Sequence, residues 1–559
     1  MNAKTGAVYL ARQLESYGVT HVFMVPAILR RMLVEMEMLT DIKRMHVHSE
    51  KSAVYMADGF ARASGRPAIC MAQVIGALNI AAGLREPFLA NSPVIAFTGG
   101  RFAKTKFRHV YQEVDDVPAF EPVTKFNATV DDVNRIPDML EQAYRHAVSG
   151  CPGPVHLQFE GNEGQLDFQE ADLDQRTDMR FTSVPPFRPQ GDPADIAKAL
   201  AVLQAAKKPV IVAGGGVRHS GAAEELKKLA EGLNIPVATS LNGKDTFLGT
   251  HSLYLGVVGT YSRASANRVM SQADLVCFIG SKAGGMTTHF WQVPEPGIDA
   301  IQIDLEPAEI GRNYPLKAAV QGDAKTILAT MAENMDLASA ALRVDWVTQA
   351  QGICADWKAE YEPLLTSDAV PIRPERICRD LTEAVASDSL VVVDTGHAGM
   401  WMGGMFDLTS PDQGYIRSAG HLGWAFPAAL GAKCAEPDRP VVCFTGDAGF
   451  WYHIGEIETM VRWNINAVIV VNNNSAGNQS KTGFDRAYGG KQTEQGKEIW
   501  NFTHVNFANI ANEIGALGIR VEKPGHFKSA LDRGLSANRP VIIDVVTDVD
   551  AIAPVAVTE

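Results

Sequence analysis

Two polar residues close apolar runs in the last third of the 559-residue chain: Asp447 ends VVCFTGD and Asn474 ends AVIVVNNN. Between them, from about Trp451 to Trp463, the spacing is helical, so residues 446–474 read as strand, helix, strand. Such a unit puts both strand ends on one edge of a parallel sheet, the edge at which open α/β sheets bind ligands. Asp447 and Asn474 therefore converge. A carboxylate, an amide oxygen and a nearby main-chain carbonyl are hard oxygen ligands, suited to Mg²⁺ shared with phosphate oxygens. Gly446, Ala448 and Gly449 would let main-chain N–H groups approach an anion at the helix start. The plainer alternative is an ordinary turn, with Asp447 as N-cap and Asn474 as turn former. The GD pair, the spacing and the NNN run taken together favour the metal site.

The constellation resembles the diphosphate motif, GDG followed at a distance by NN, of the thiamine diphosphate (ThDP)-dependent family that includes acetolactate synthase, pyruvate oxidase and benzoylformate decarboxylase. Ala448 stands where the family has its third-position glycine. The resemblance implies that Asp447, Asn474 and the main-chain carbonyl of Ala476 hold the metal. Further segments match in order. MHVHSEKSAVYMADGFARASG resembles the family's HE-x-x-A segment and puts Glu50 on the catalytic glutamate. There a carboxylic acid would bond the aminopyrimidine ring nitrogen and favour the tautomer that takes the proton from the thiazolium carbon. Taken alone, Glu50 also suits a helix start. DTGHAGMW (394–401) resembles the stretch beside the diphosphate and supplies Gly396 and His397. In SAGHLGWAFPAALGA (418–432), Leu422 falls where a bulky apolar residue holds the cofactor bent, and Gly420 where the pyrimidine approaches the backbone. Simple core packing is the alternative for Leu422. In this family the cofactor lies between the first unit of one subunit and the last unit of another. That implies a homodimer at minimum, with a homotetramer the commonest state.

The substrate side departs from the family. FMVPAILRR carries Ala27 where glycine is usual, and AQVIGALN puts Gln73 and Ile75 where Ser and Pro are common. VYQEVD resembles the F-Q-E-x-D of acetolactate synthases and makes Gln112 a candidate contact for substrate. SAGNQSKTG after the NNN run offers Asn478 and Gln479. Each has a plain alternative as a loop hydrogen-bonding residue. Together they argue against a standard biosynthetic acetolactate synthase and lean towards cyclohexane-1,2-dione hydrolase-like enzymes. The expected activity is a carbon–carbon lyase or carboligase acting on a 2-oxo acid or 1,2-diketone through a ThDP-bound carbanion. One alternative is a 2-hydroxyacyl-CoA lyase or oxalyl-CoA decarboxylase type, although the tail DVDAIAPVAVTE offers no cations for CoA phosphates. Another is a non-catalytic ThDP-fold protein, against which Glu50, Asp447 and Asn474 all speak.

Short apolar runs alternate with helical stretches along the whole chain, which implies α/β architecture with parallel sheets covered by helices. Candidate strands are 21–26, 42–49, 66–73, 93–100 and 154–159, then 209–216, 236–241, 273–280 and 300–306, then 389–396, 439–447, 466–474 and 539–547. The proline-rich TSVPPFRPQGDP (182–193) and AVPIRPE read as linkers. They give three doubly wound domains: 1–182 (pyrimidine-binding by the resemblance), 190–345 (middle) and 370–550 (diphosphate- and Mg-binding). The first and last are alike in layout. In the middle unit His219 replaces the third glycine of G-x-G-x-x-G. GVVGTY (256–261) resembles a flavin-contacting segment, but SKAGGMTTHF (281–290) replaces the arginine-rich stretch that follows it in acetolactate synthases. FAD or ADP in the middle unit stays open.

A net charge of −13 disfavours nucleic acid and anionic membrane as partners. The seven cysteines are far apart, without zinc-knuckle or redox-dithiol spacing. The N-terminus reads as an amphipathic helix rather than a signal peptide, and no apolar stretch reaches the length of a membrane span. The expectation is a cytoplasmic enzyme with a small carbonyl substrate.

Overall fold

The computed structural model describes residues 4–554. Eighteen strands form three six-stranded sheets whose neighbouring strands all run parallel. The N-terminal sheet holds β1 (His21–Met24), β2 (Lys43–His46), β3 (Ala68–Ala72), β4 (Val94–Gly99), β5 (Phe126–Val130) and β6 (Val155–Phe159), in spatial order β2-β1-β3-β4-β6-β5. The middle sheet holds β7 (Pro209–Ala213), β8 (Val237–Thr239), β9 (Tyr254–Val257), β10 (Leu275–Ile279), β11 (Asp299–Asp304) and β12 (Leu316–Gln321), in order β9-β8-β7-β10-β11-β12. The C-terminal sheet holds β13 (Leu390–Val393), β14 (Gly414–Arg417), β15 (Val441–Gly446), β16 (Val468–Asn473), β17 (Leu517–Val521) and β18 (Val541–Val546), in order β14-β13-β15-β16-β18-β17. The first and last sheets thus share one topology, while the middle sheet has the dinucleotide-fold order. This is the three-unit α/β architecture expected from the sequence.

Every expected run contains a strand. Five strands were not anticipated: β5, β9, β12, β14 and β17. Each lies at the edge of its sheet. A central parallel strand such as β4, VIAFTG, is covered on both faces and buried throughout, so its sequence is a continuous apolar run. Edge strands such as β17, LGIRV, are only partly covered and carry no such run. The helical stretch expected over 451–463 is two short helices, Asp447–Trp451 and Glu456–Arg462. The first begins at Asp447 itself, with Gly446 as N-cap.

Six helices position the site: α1 (Glu50–Ser64), α2 (Ala77–Ala90), α3 (His397–Met405), α4 (Ala425–Ala435), α5 (Asp447–Trp451) and α6 (Asn478–Ala487). Helices α1 and α4 pack backbone to backbone and fuse the first and last units. A Cβ on Gly59 would sit 1.9 Å from the Ala428 carbonyl oxygen, and one on Gly431 1.8 Å from that of Met56. Their apolar faces join one core, including Val54, Ala57, Trp424 and Leu430. Among the described residues no helix is long and apolar enough to cross a membrane.

Candidate active site

In the C-terminal sheet the direction of winding reverses between β13 and β15, so the crevice of this doubly wound unit opens at their carboxyl ends. Asp394 follows β13 and Asp447 follows β15. Both carboxylates are buried. Asp447 accepts the N–H groups of Ala448 (2.9 Å) and Ala476 (3.1 Å). Burial still pushes its carboxyl up to about 7, because two backbone donors do not replace the lost water.

The turn after β16 completes an oxygen-rich cradle. The Oδ1 of Asn474 is buried with no hydrogen-bond partner among the described residues. Ser475 sits in the left-handed region (φ 57°), a costly conformation for a residue with a side chain, held by Asn473 Oδ1 and by His504, 2.8 Å from its hydroxyl. Ala476 faces Asn501 as a non-hydrogen-bonded pair, flanked by Phe502 N–H to Ser475 O and Gly477 N–H to Trp500 O. Its own N–H and C=O therefore turn to the other side, and the N–H reaches Asp447. The Asp447 carboxylate and the Ala476 backbone thus share one side, and the unpartnered amide oxygen of Asn474 belongs to the same turn. Among the described residues no group of three or more His, Cys, Asp or Glu could hold a metal, so a carboxylate-rich or thiolate cage is not present there. The trio suits a hard cation that brings phosphate oxygens and water of its own. A Cβ on Gly446 would meet nothing within 4 Å, and the same holds for Gly420. Gly449 differs: a Cβ there would lie 2.7 Å from Asp394 Oδ2. Packing against Asp394, not approach to an anion, accounts for that glycine.

Asp394 is the hub of this region. It accepts the N–H of Gly423 at 3.1 Å and the hydroxyl of Thr445 at 2.8 Å, tying three loops together. Gly396 caps α3, and His397 is buried with Nδ1 unpartnered and its pKa lowered to about 4 by burial. Gly423 and Trp424 are buried, but Leu422 between them and His421 is 39% exposed, an apolar side chain aimed outward from a fixed loop.

Glu50 begins α1 and, among the described residues, takes one side-chain hydrogen bond, inside its own unit, from Asn79 Nδ2 at 3.0 Å. The turn at Gly76 lies against it, and a Cβ there would be 2.7 Å from Glu50 Oε1. The opposite flank of α1 faces the C-terminal unit: the Ser52 hydroxyl is 2.8 Å from His453 Nδ1, and Tyr55 bonds His421. Within one chain Glu50 therefore turns away from the elements that carry Asp447 and Asn474.

Gln73 precedes the turn Val74–Gly76 and makes no side-chain cap there. Gln112, in the left-handed region, lines a recess of about 100 Å³ with Val74, Arg101 and Asn162. One turn thus touches both Glu50 and this recess. Asn478 is placed differently from the expectation of a pocket contact: its Nδ2 donates to the carbonyls of Val549 and Ala551 at 3.0 Å each. That amide braces the C-terminal segment, and only its buried Oδ1 remains without a partner. Gln479 donates to Tyr261.

Sequence reasoning did not single out Asp394, Asn79, Glu86 or His453. Asp394 closes an apolar run just as Asp447 does, and Asn79 ends the quoted AQVIGALN segment, so both had a signal. Glu86 and His453 had none, since the loop that Glu86 holds and the Ser52 partner of His453 lie more than 300 positions away in sequence.

Three family descriptions match the chain. The N-terminal TPP-binding domain of thiamine pyrophosphate enzymes matches residues 4–119, the central domain 196–331 and the C-terminal TPP-binding domain 394–545. The chain is 31% identical to a probable acetolactate synthase large subunit of Methanocaldococcus jannaschii, over 97% of this chain and 92% of that protein. It is 29% identical to the acetolactate synthase isozyme 3 large subunit of Escherichia coli, over 98% and 96%. The large subunit from Corynebacterium glutamicum is 30% identical, over 98% and 87%.

Proposed function

The chain belongs to the ThDP-dependent, acetolactate synthase-like enzyme family, and from that premise we propose that it is a carboligase or lyase whose donor is a 2-oxo acid. The observation that carries the reading is the cradle of Asp447, the unpartnered Asn474 Oδ1 and the Ala476 carbonyl. We assign it Mg²⁺ held jointly with the cofactor diphosphate. Asp447 would be held charged by the cation, Gly446 and Ala448 would leave room for the diphosphate, and Gly420 and Leu422 would receive the organic rings. Glu50 would hold the proton at the pyrimidine nitrogen, kept in place by Asn79. When bound, ThDP supplies the nucleophilic carbon and the electron sink for cleaving or forming the bond beside a carbonyl.

A 2-oxo acid is favoured over an uncharged diketone by the loop beside Gln112. Arg101, Lys104, Lys106 and Arg108 put four cations there against three acids, Glu113, Asp115 and Asp116. Among the described residues only Arg101 of the four is ion-paired, to Asp115, which leaves a modest positive excess in a chain of net charge −13. A carboxylate-bearing substrate suits that field.

Two subunits are needed on this reading. Glu50 faces away from its own chain's metal cradle, and the surface beside it exposes Ile75 and Leu78, apolar residues of the kind buried between subunits. We therefore propose a homodimer at least, or a dimer of dimers. Where the winding of the middle unit reverses, a cleft of about 390 Å³ opens between Gly214–Gly216, Gly284–Gly285 and the first and last units, with Arg62, Arg218 and Arg417 on its walls. That cleft suits an anionic nucleotide such as FAD or ADP. The seven unpaired cysteines fit a reducing compartment, hence the cytoplasm.

The test is product analysis with ThDP and Mg²⁺ on pyruvate, glyoxylate and cyclohexane-1,2-dione. Turnover of a 2-oxo acid, lost in Glu50→Ala, supports the reading. Turnover of the diketone alone would overturn the donor assignment.

A further inference from the structure

Glu86 lies on α2 and is completely buried. An isolated carboxylate in that position would be prohibitively costly, so its partners explain why it is there. One is Arg62 of α1, 3.1 Å from Oε1. Arg62 already forks onto Asp58, with its Nε 2.9 Å from Oδ1 and its Nη2 2.6 Å from Oδ2. One guanidinium therefore serves two carboxylates. The remaining donors come from the other end of the chain. Oε1 of Glu86 accepts the N–H of Ala419, and Oε2 accepts the N–H of His421 (3.1 Å). The Ser418 hydroxyl stands 3.3 Å from Oε2 but donates at 2.9 Å to the His421 carbonyl and accepts the N–H of Gly420 at 3.1 Å, so it braces the loop from within.

The same cluster grips the flanks of that loop. Arg62 donates to the Arg417 carbonyl at 2.7 Å, and Asp58 accepts the indole N–H of Trp424 at 2.8 Å. The guanidinium carbon of Arg62 stands 4.5 Å from the centre of the Trp424 ring. Asp394 then takes the N–H of Gly423. Between these anchors lie Gly420, with open space where a side chain would be, and Leu422, 39% exposed. The N–H groups of Ala419, His421 and Gly423 on either side are committed inward, and the Leu422 side chain projects outward. The shape of the loop is held jointly by the N-terminal unit, through Glu86, Arg62 and Asp58, and by Ser418 and Asp394 of its own unit.

We propose that Glu86 is a positioning residue that presets the 418–423 loop to receive the ring portion of ThDP. The inference rests on the reading that this loop meets ThDP. If the loop is competent before binding, no part of the binding energy is used to order it; if it is competent only a tenth of the time, the dissociation constant rises about tenfold. Glu86→Gln keeps the volume but turns an NH₂ towards Arg62 or the loop N–H groups, so it unlocks the loop with little change in packing. Ser418→Ala loosens the same loop by a second route, removing its hydrogen bonds to the His421 carbonyl and the Gly420 N–H while leaving the ion cluster intact, and serves if Glu86→Gln does not fold.

The experiment is calorimetric titration of ThDP, with Mg²⁺ present, into wild type and both variants, beside melting curves of the unliganded proteins. The expected result is a ThDP dissociation constant raised about tenfold in Glu86→Gln and by a smaller factor in Ser418→Ala, in protein that melts cooperatively. The loss should fall on that constant more than on turnover at saturating ThDP. A lowered melting temperature with unchanged ThDP affinity would show a merely structural role and overturn the proposal. If the wild type itself bound no ThDP, the cofactor reading would be the one that fails.

Discussion

Substituting Asp447 by asparagine separates the cost of a buried carboxylate from its use. Asp447 is 2% exposed, and burial raises its pKa from the ordinary 3.8 to about 7. A shift of about three pH units corresponds to about 4 kcal/mol between the two protonation states. The folded pKa lies above the unfolded one, so between about pH 4 and pH 7 the folded protein binds the extra proton. Its stability therefore falls as pH rises through that window, and the full cost is present above about 7. Asparagine does not titrate. It leaves one of the Ala448 and Ala476 N–H groups without an acceptor, a loss of about 1–3 kcal/mol that is the same at every pH. In EDTA-treated protein the difference in stability between Asp447→Asn and wild type should thus shift in the variant's favour by up to about 4 kcal/mol between pH 4 and pH 8. Urea unfolding of the C-terminal unit at several pH values reads this directly. Adding Mg²⁺ and ThDP at pH 8 should stabilise the wild type and leave the variant unmoved. Parallel pH profiles, or equal stabilisation of both proteins by Mg²⁺ and ThDP, would refute the reasoning.

Three further outcomes follow from the same geometry. Gly449→Ala drives a methyl group to 2.7 Å from Asp394 and 3.0 Å from the Thr445 hydroxyl, and should destabilise by about 1–3 kcal/mol in thermal unfolding. Glu50→Gln should lower turnover by about 10²- to 10⁴-fold while leaving the melting temperature nearly unchanged, since Glu50 holds only Asn79. Arg62→Met leaves Asp58 and Glu86 buried without their cation and should cost about 3–5 kcal/mol by urea unfolding.

Sequence reasoning reached the centre of each sheet and the residues at the strand ends, because both follow from local pattern. A short apolar run such as AICMA, bounded by turn signals, fits a strand covered on both faces, and a carboxylate at the end of such a strand falls at the ligand edge. Five of the six edge strands stayed hidden: partial cover leaves polar and apolar residues mixed in FNATV of β5 and LGIRV of β17, and the buried YLGV of β9 and GYIR of β14 are only four residues long and carry a glycine. At the site, residue type and spacing singled out Asp447 and Asn474 as strand-end candidates, whereas Glu50, which taken alone suits a helix start, stood out only through the resemblance of its segment. Asn478 was assigned to the pocket because a polar residue after the NNN run invites that reading; only the fold reveals Val549 and Ala551 as its partners. Glu86 was unreadable for the same reason. On an amphipathic helix it looks like a solvated acid, and its burial depends on donors brought from the far end of the chain by the packing of α1 on α4.

The central claim is that Asp447, Asn474 and Ala476 hold the divalent cation that anchors the cofactor diphosphate. Anomalous scattering from crystals grown with Mn²⁺ and ThDP tests it most directly. The account predicts one manganese peak within coordinating distance of Asp447, Asn474 Oδ1 and the Ala476 carbonyl, with diphosphate oxygens completing the shell. A peak elsewhere, or ordered ThDP with its diphosphate away from these oxygens, would contradict it.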